Sequence, residues 1–452
     1  MGAEQTNGVG QHDGMSRRDV LRLGGAIVAG SLVTPGIAAA RDSSSSGGNP
    51  VLFLSDQLAT VPEEAALRNH ILSGFKTPVN FITFSETTQF IDSVIAQSKA
   101  GTNKVDLIGG LQGDFVSLAS QVKLRDMSDV LHALSNRHFP PQYLKSARIG
   151  GAPRFVPWIQ ASYLMVANKQ ALRHLPPGKN VNHLTYNDLL AWAQKLQKAT
   201  GRPLLGFPAS PDGLIKRFFQ GNTYPSFTGG LNTTFKSPAA VNMWNWFKQT
   251  WAASNPQSVT YSFMQEQLLS GEVWVAWDHA VRLIDALKSR PNDFVAFPPP
   301  RGPKGLGYEP VLGGLAIPET SKNVDAAKAL IAYLTEPKTT ANMLKLEAWF
   351  PPVGVSQLPS ALPSGERELA HGIETMVKSP HTIVSALPVG LGAQSDAYDK
   401  VFTDTFTAIA INNSPVASTL QQQAVKLQSV LRSAHAACWA PDPASHGVCR
   451  VG

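Results

Sequence analysis

The stretch Tyr308 to Gly354, YEPVLGGLAIPETSKNVDAAKALIAYLTEPKTTANMLKLEAWFPPVG, constrains the fold more than any other part of the chain. It reads as a strand over Leu312 to Ile317, a turn over Pro318 to Asn323, an amphipathic helix, a second helix after Glu336-Pro337, and an aromatic-proline loop. Each junction has a local cause. Gly313 and Gly314 admit close approach of backbone or ligand. Asn323 is the expected N-cap of a helix whose apolar residues Ala327, Leu330, Ile331 and Leu334 recur at helical spacing, and Pro337 sets the start of the next helix.

The order of these pieces, GG-x-AIP-x-TSKN, a helix ending in YLTEP and then WFPPVG, resembles the end of the type I extracellular solute-binding proteins, the maltose/maltodextrin-binding-like family that serves ATP-driven importers. Further matches follow in order over roughly residues 50 to 435. The resemblance implies an α/β chain with a two-lobed periplasmic-binding-protein fold (type II), each lobe a mainly parallel sheet flanked by helices, with a ligand cleft between them. On it the first lobe takes residues 50–158 and 279–335, the second 159–278 and 336–437, and 438–452 form a tail.

With 452 residues, 43% hydrophobic and 16% charged, the chain is long enough for two sizeable cores. The net charge of +7 is diffuse, without a Lys/Arg run or basic helix, and does not point to nucleic acid. Cys438 and Cys449 stand alone in the last fifteen residues and read as a small disulfide loop or as two free thiols. No metal-ligand cluster and no cofactor motif is expected.

Arg17-Arg18, a short weakly apolar run and the ending Pro35-Gly36-Ile37-Ala38-Ala39-Ala40 read as a twin-arginine export signal over 1–40. The run is too short and glycine-rich to span a membrane. Met15 is a second candidate start. No Cys follows the apolar run to accept a lipid. The expected mature protein is soluble, periplasmic or extracellular, and begins near Arg41, with a flexible linker over 41–49.

In the first lobe, Val51 to Leu54 reads as a strand ending in Ser55-Asp56-Gln57, and the run Lys104 to Asp114 resembles the family's PD-aliphatic-aliphatic strand, after which polar residues face the ligand. Strand, polar loop, helix places ligand groups at the carboxyl ends of a parallel sheet. Ser55, Asp56, Gln112 and Asp114 are therefore binding candidates, against the alternative that they cap the following helices. Gly150 to Lys169 resembles the family's turn and crossing strand, which implies that Trp158, Gln160 and Tyr163 lie near the cleft. Core placement is the better reading for Tyr163 and an equal one for Trp158.

In the second lobe, Thr185 and Asp188 form an approximate capping box, and Leu204 to Pro208 is a strand leading to Ser210 and Asp212. Trp244, Phe247 and Trp251 form a core stripe. Phe263 to His279 resembles the family's helix, glycine and returning strand, implying ligand contacts at Trp277 and Asp278. Arg282 reads as a helix surface charge or a partner for an anionic ligand group. Trp349 stands in the loop returning to the cleft, and the glycine-rich segment Pro388 to Asp396 is a further loop facing ligand.

The chain has no G-x-S-x-G elbow, H-E-x-x-H, P-loop or G-x-G-x-x-G after a strand. A carboxylate pair among Asp56, Asp114 and Asp278 would be the one route to glycosidase chemistry. The resemblance implies binding without catalysis: Trp158, Trp277 and Trp349 stack on sugar, and Ser55, Asp56, Gln112, Asp114, Gln160, Asp212 and Asp278 bond its hydroxyls. The acidic and aromatic set suits a neutral sugar or sugar alcohol, or else a cation such as a polyamine. The implied partners are the permease subunits of an ABC importer and the twin-arginine export machinery, with a monomeric chain.

Overall fold

Val156–Asn168 form one uninterrupted strand of 13 residues, and the rest of the fold is arranged along it. At about 3.3 Å per residue such a strand reaches roughly 40 Å, enough to serve two sheets end to end. The computed structural model describes residues 49–59, 61–99, 105–347, 349–353 and 362–452. The export segment 1–40, linker residues 41–48 and Gly354 lie outside the described residues.

The strands that build the sheets are β1 (Val51–Ser55), β2 (Val79–Thr83), β3 (Leu107–Leu111), β4 (Val156–Asn168), β5 (Leu205–Gly206), β6 (Val275–His279), β7 (Phe294–Phe297) and β8 (Pro310–Ala316). The first lobe has the order β2-β1-β3-β8-β4, with β1, β2 and β3 parallel and β8 running against β3. The second has β4 paired antiparallel with β6 and β7, and β5 parallel to β6. Each lobe is thus mainly parallel in strand direction, with one opposed strand beside the crossing. Up to Ser162, β4 pairs with β8; from Tyr163 it pairs with β6. The Ser162 hydroxyl donates to the Glu309 carbonyl at 3.0 Å and ties the two crossings together.

Along β4 the partner changes between Ser162 and Tyr163, and β7 is bonded to the same half of β4 as β6.

The principal helices are α1 (Thr87–Lys99), α2 (Gln112–Ala119), α3 (Tyr186–Thr200), α4 (Pro238–Ala252), α5 (Ala280–Ser289), α6 (Val324–Leu334), α7 (Pro337–Glu347), α8 (Ser364–Lys378), α9 (Ser395–Phe406) and α10 (Val416–Ser433). Helix α7 packs on the helical stretch 61–71 of the first lobe and extends that lobe beyond residue 335, whereas α8 packs on α5 and β7 in the second.

Local chemistry accounts for the helix ends. Thr185 and Asp188 make the full capping box, Asp188 N–H donating to Thr185 Oγ1 at 3.2 Å and Thr185 N–H to Asp188 Oδ2 at 2.9 Å. At α6 the expected cap fails: the Asn323 side chain donates instead to the Asn49 carbonyl at 3.0 Å, and Ser321 Oγ accepts the Asn323 N–H. The apolar face of α6 is buried at the four residues its spacing marks. Trp244 and Phe247 of α4 are fully enclosed, with Trp244 against Phe219 at 4.4 Å. Cys438 and Cys449 are disulfide-bonded, and Cys449 is fully buried. Among the described residues no helix is long and apolar enough to cross a membrane.

Candidate functional site

Parallel strands β1 and β3 end on one edge, and the polar residues after them come together there. Asp56 accepts from Gln57 Nε2 at 2.9 Å and from Thr87 Oγ1, at the start of α1, at 3.3 Å. Asp114 Oδ2 accepts the Leu111 N–H at 2.7 Å and so caps α2, while its carboxyl meets that of Asp56. Of the alternatives for Asp114, this bond is the capping one. Burial pushes both carboxyls up; for Asp114 the adjacent Asp56 charge adds to it. Two carboxyls in contact disfavour each other's ionised form.

Facing this edge is a second-lobe cluster. Arg217 donates to Gln220 Oε1 at 2.7 Å and to Asp399 Oδ2 at 3.2 Å, and Gln220 Nε2 donates to Asp399 Oδ1 at 3.0 Å. Between the two lies a cavity of about 200 Å³ lined from the first lobe by Ser85, Glu86, Thr87, Thr88, Leu111, Gly113 and Asp114, and from the second by Arg217, Leu387, Pro388, Ser395, Asp396 and Asp399. The lobes touch at its rim: a Cβ on Gly113 would stand 2.6 Å from the Pro388 carbonyl oxygen. Four carboxylates line the cavity against one guanidinium, and no aromatic ring is among the described residues lining it.

The other sequence candidates fall elsewhere. Ser55 is fully buried, and its hydroxyl accepts the Gln57 N–H at 2.9 Å, shaping the turn below Asp56. Gln112 opens α2 half-buried and is not among the residues lining the cavity. Gln160 is spent on the chain itself: its Nε2 donates to the Pro351 carbonyl at 2.7 Å, and its Oε1 accepts from the Tyr143 hydroxyl. It fixes the loop after Trp349. Asp212 is exposed in a turn away from the cavity.

The aromatic expectations need correction. Trp277 is fully buried, stacked on Tyr163 at 5.0 Å with its Nε1 donating to Asn222 Oδ1 at 3.0 Å. Both of its recognition surfaces are occupied by protein. Trp158 is also fully buried, 5.8 Å from Phe53, and borders an apolar hollow formed with Phe139, Pro337 and Pro351. Trp349 packs on His279 at 5.7 Å with its Nε1 unpartnered among the described residues. The Asp278 carboxylate accepts the Met264 N–H at 3.0 Å and the His279 N–H at 2.7 Å, a structural use, and burial pushes it up to about 7. Burial also lowers His279 to about 3, leaving it neutral.

Two further charged groups are not among the sequence candidates. Arg217 lies just beyond Asp212 on the same strand-end segment, so the segment was marked but not the residue. Glu309, inside the stretch that anchors the fold, is fully buried at the crossing with neither carboxyl oxygen hydrogen-bonded among the described residues. Burial pushes it up to about 7, with Arg217 opposing. The glycine-rich segment does reach the cavity, through Pro388 and Asp396.

The family model described as a bacterial extracellular solute-binding protein matches residues 73–365. No curated protein matches the chain. Among solved structures, the chain is similar to maltose-bound MalE3 of T. maritima, with 17% identity over 84% of this chain and 100% of that one and a TM-score of 0.67. It is also similar to UgpB of Mycobacterium tuberculosis in complex with glycerophosphocholine, with 20% identity, 86% and 100% coverage and a TM-score of 0.65. The sugar-binding protein MalE of Xanthomonas citri gives 16%, 85%, 98% and 0.65.

Proposed function

The chain belongs to the bacterial extracellular solute-binding protein family, and from that premise we propose that it is the substrate-binding component of an ABC importer, capturing a carbohydrate between its lobes and delivering it to a membrane permease. The observation that carries this reading is the enclosed cavity between two lobes joined by crossing strands, walled by carboxylates and hydroxyls at element ends. Such groups bond vicinal hydroxyls in pairs, and enclosure strengthens each bond. Several of the similar structures are described as sugar-binding, T. maritima MalE3 among them.

Asp114, Asp56 behind it, Glu86, Arg217 and Asp399 are the groups we assign to the ligand. Asp278, Gln160 and Ser55 support them by holding backbone, and of the predicted aromatics Trp158 and Trp349 each keep an indole Nε1 without a hydrogen-bond partner among the described residues. Ligand shifts the open and closed populations through contacts made only when both lobes close on it, and the closed form presents both lobes to the permease. The protein acts as a monomer, exported by the twin-arginine route to the periplasm or exterior, with its mature form beginning near Arg41.

Binding without turnover is the reading that the pairing of Asp56 with Asp114 supports. Glycosidases separate their two carboxyls by about 5–9.5 Å to bracket the scissile bond, whereas Asp56 and Asp114 bond to each other. A second reading, a cationic ligand, is favoured by one observation, the excess of carboxylates over Arg217 in the lining.

Thermal unfolding against sugars, sugar alcohols, polyamines and sugar phosphates separates these. A ligand that binds only the folded protein raises the midpoint with concentration. A shift with sugars or sugar alcohols supports the carbohydrate reading, a shift with polyamines alone replaces it with the cationic one, and release of product on incubation contradicts binding without turnover.

A further inference from the structure

We propose that the disulfide-closed C-terminal segment builds an outer subsite for a further, uncharged sugar residue, so that the ligand is an oligosaccharide of at least two units with one end in the inner cavity. This rests on the carbohydrate reading and extends it to ligand length.

A groove of about 630 Å³ lies beside the inner cavity. The same two elements run from one to the other without a break. The first turn of α2, with Gly113 and Asp114, lines the cavity, and its later turns, with Ser117 and Ser120, line the groove. Leu387 and Pro388 line the cavity, and the segment from Val389 to Gln394 that follows lines the groove. A ligand leaving the cavity along this path meets the residues 433–439 as its third wall.

That wall is ordered before any ligand arrives. The Cys438–Cys449 bond closes it. The Asp442 carboxylate accepts the N–H groups of Leu231 at 2.9 Å and Asn232 at 2.7 Å. The last residue is clasped too, with Gly452 N–H donating to the Asn232 carbonyl at 3.1 Å and its own carbonyl accepting from Lys236 N–H at 2.7 Å. The Ala386 N–H donates to the Ala440 carbonyl at 2.9 Å, fastening the tail to the root of the loop that lines both spaces. Preorganisation of this kind lowers the entropy lost on binding.

The chemistry of the groove differs from that of the cavity. Ser117, Ser120, Gln121 and Gln394 supply neutral donors and acceptors, and among the described residues lining it no carboxylate, Lys or Arg occurs, His435 being the sole titratable group. Trp439 lines the groove, is 7% exposed and packs on Tyr398 at 5.4 Å. Its indole Nε1 has no hydrogen-bond partner among the described residues. A buried indole N–H without an acceptor is unfavourable until one is supplied, and a sugar hydroxyl or ring oxygen is such an acceptor. A polyamine would find no charge partner here, so the extension belongs to a neutral sugar unit.

The test is calorimetric titration of the purified protein with three homologous series: glucose, maltose and maltotriose; galactose, melibiose and raffinose; xylose, xylobiose and xylotriose. In at least one series the longer members are expected to bind tenfold or more tightly than the monosaccharide. Trp439→Phe keeps the ring and removes the N–H, and is expected to weaken the longer ligand three- to tenfold while the monosaccharide is unaffected. Ser120→Trp fills the groove from an exposed position on its first-lobe wall and is expected to abolish the length gain. Equal affinity along every series, or a Ser120→Trp variant that weakens monosaccharide and oligosaccharide alike, overturns the outer subsite and leaves the carbohydrate reading standing. Binding of no sugar in any series overturns both.

Discussion

The two lobes furnish the cleft by different means. The first presents residues at the ends of β1 and β3 and the starts of α1 and α2, where sheet direction alone brings Asp56, Thr87 and Asp114 together. The second presents Arg217 and Asp399 from helical segments and Pro388 from a loop fastened by the tail. A strand-end rule therefore marks residues on the first-lobe wall of the cavity and passes over those on the second-lobe wall. In the second lobe the end of β6 is turned into the core, and its Trp277 and Asp278 are consumed by packing and backbone bonding.

The largest effect that would sharpen this contrast is at Trp277. Trp277→Ala removes a fully enclosed ring stacked on Tyr163 and edge-on to Phe218 at 5.1 Å. Urea denaturation is expected to show a loss of about 3–5 kcal/mol, with the folded fraction keeping its ligand affinity. Lost affinity at unchanged stability would break the contrast and restore Trp277 as a ligand face.

The next effect concerns protons. Asp56 and Asp114 sit together at the cavity, whereas Glu309 is enclosed alone, pushed from 4.5 up to about 7 by burial with Arg217 opposing. A carboxyl raised in the folded state binds its proton more tightly there than in the unfolded chain. Its contribution to stability is complete below about 4.5 and is lost as pH rises through about 7. Asp278, also about 7, has the same sign and the same window. Glu309→Gln removes one of these two titrations while preserving shape. The variant is expected to be more stable than the parent at pH 8 by roughly 1–3 kcal/mol, with the advantage shrinking towards pH 5. Melting curves at the two pH values check this; an advantage that grows as pH falls would reverse the assignment.

Much of the fold was legible because it rests on local signals. The crossing strand, the capping box at Thr185, the helix start at Pro337 and the apolar face of α6 are each written within a few residues. The bonding of β7 to the far half of β4 was not, since it is a pairing between residues more than a hundred positions apart. The aromatic candidates misled for a related reason. A tryptophan near the end of a strand has the same sequence appearance whether its ring faces a cleft or, like Trp277, another ring of its own lobe. Arg217 and Asp399 are brought together only by folding, 182 positions apart in the chain.

The smallest expected effect discriminates best between a rule and its exception. Asp212 and Asp114 both follow a strand, yet Asp212 is exposed and Asp114 lines the cavity, capping α2. Asp212→Ala is expected to change stability by less than about 0.5 kcal/mol and to leave the ligand-induced rise in melting midpoint untouched. Asp114→Asn keeps an oxygen for the Leu111 N–H but replaces the carboxyl that meets Asp56. It is expected to retain the fold and lose about tenfold in affinity, about 1.4 kcal/mol, for whichever ligand the unfolding panel identifies. If Asp212→Ala lost as much affinity as Asp114→Asn, the ends of the second-lobe strands would contribute to binding as those of the first do; if neither lost any, Asp114 would not touch the ligand.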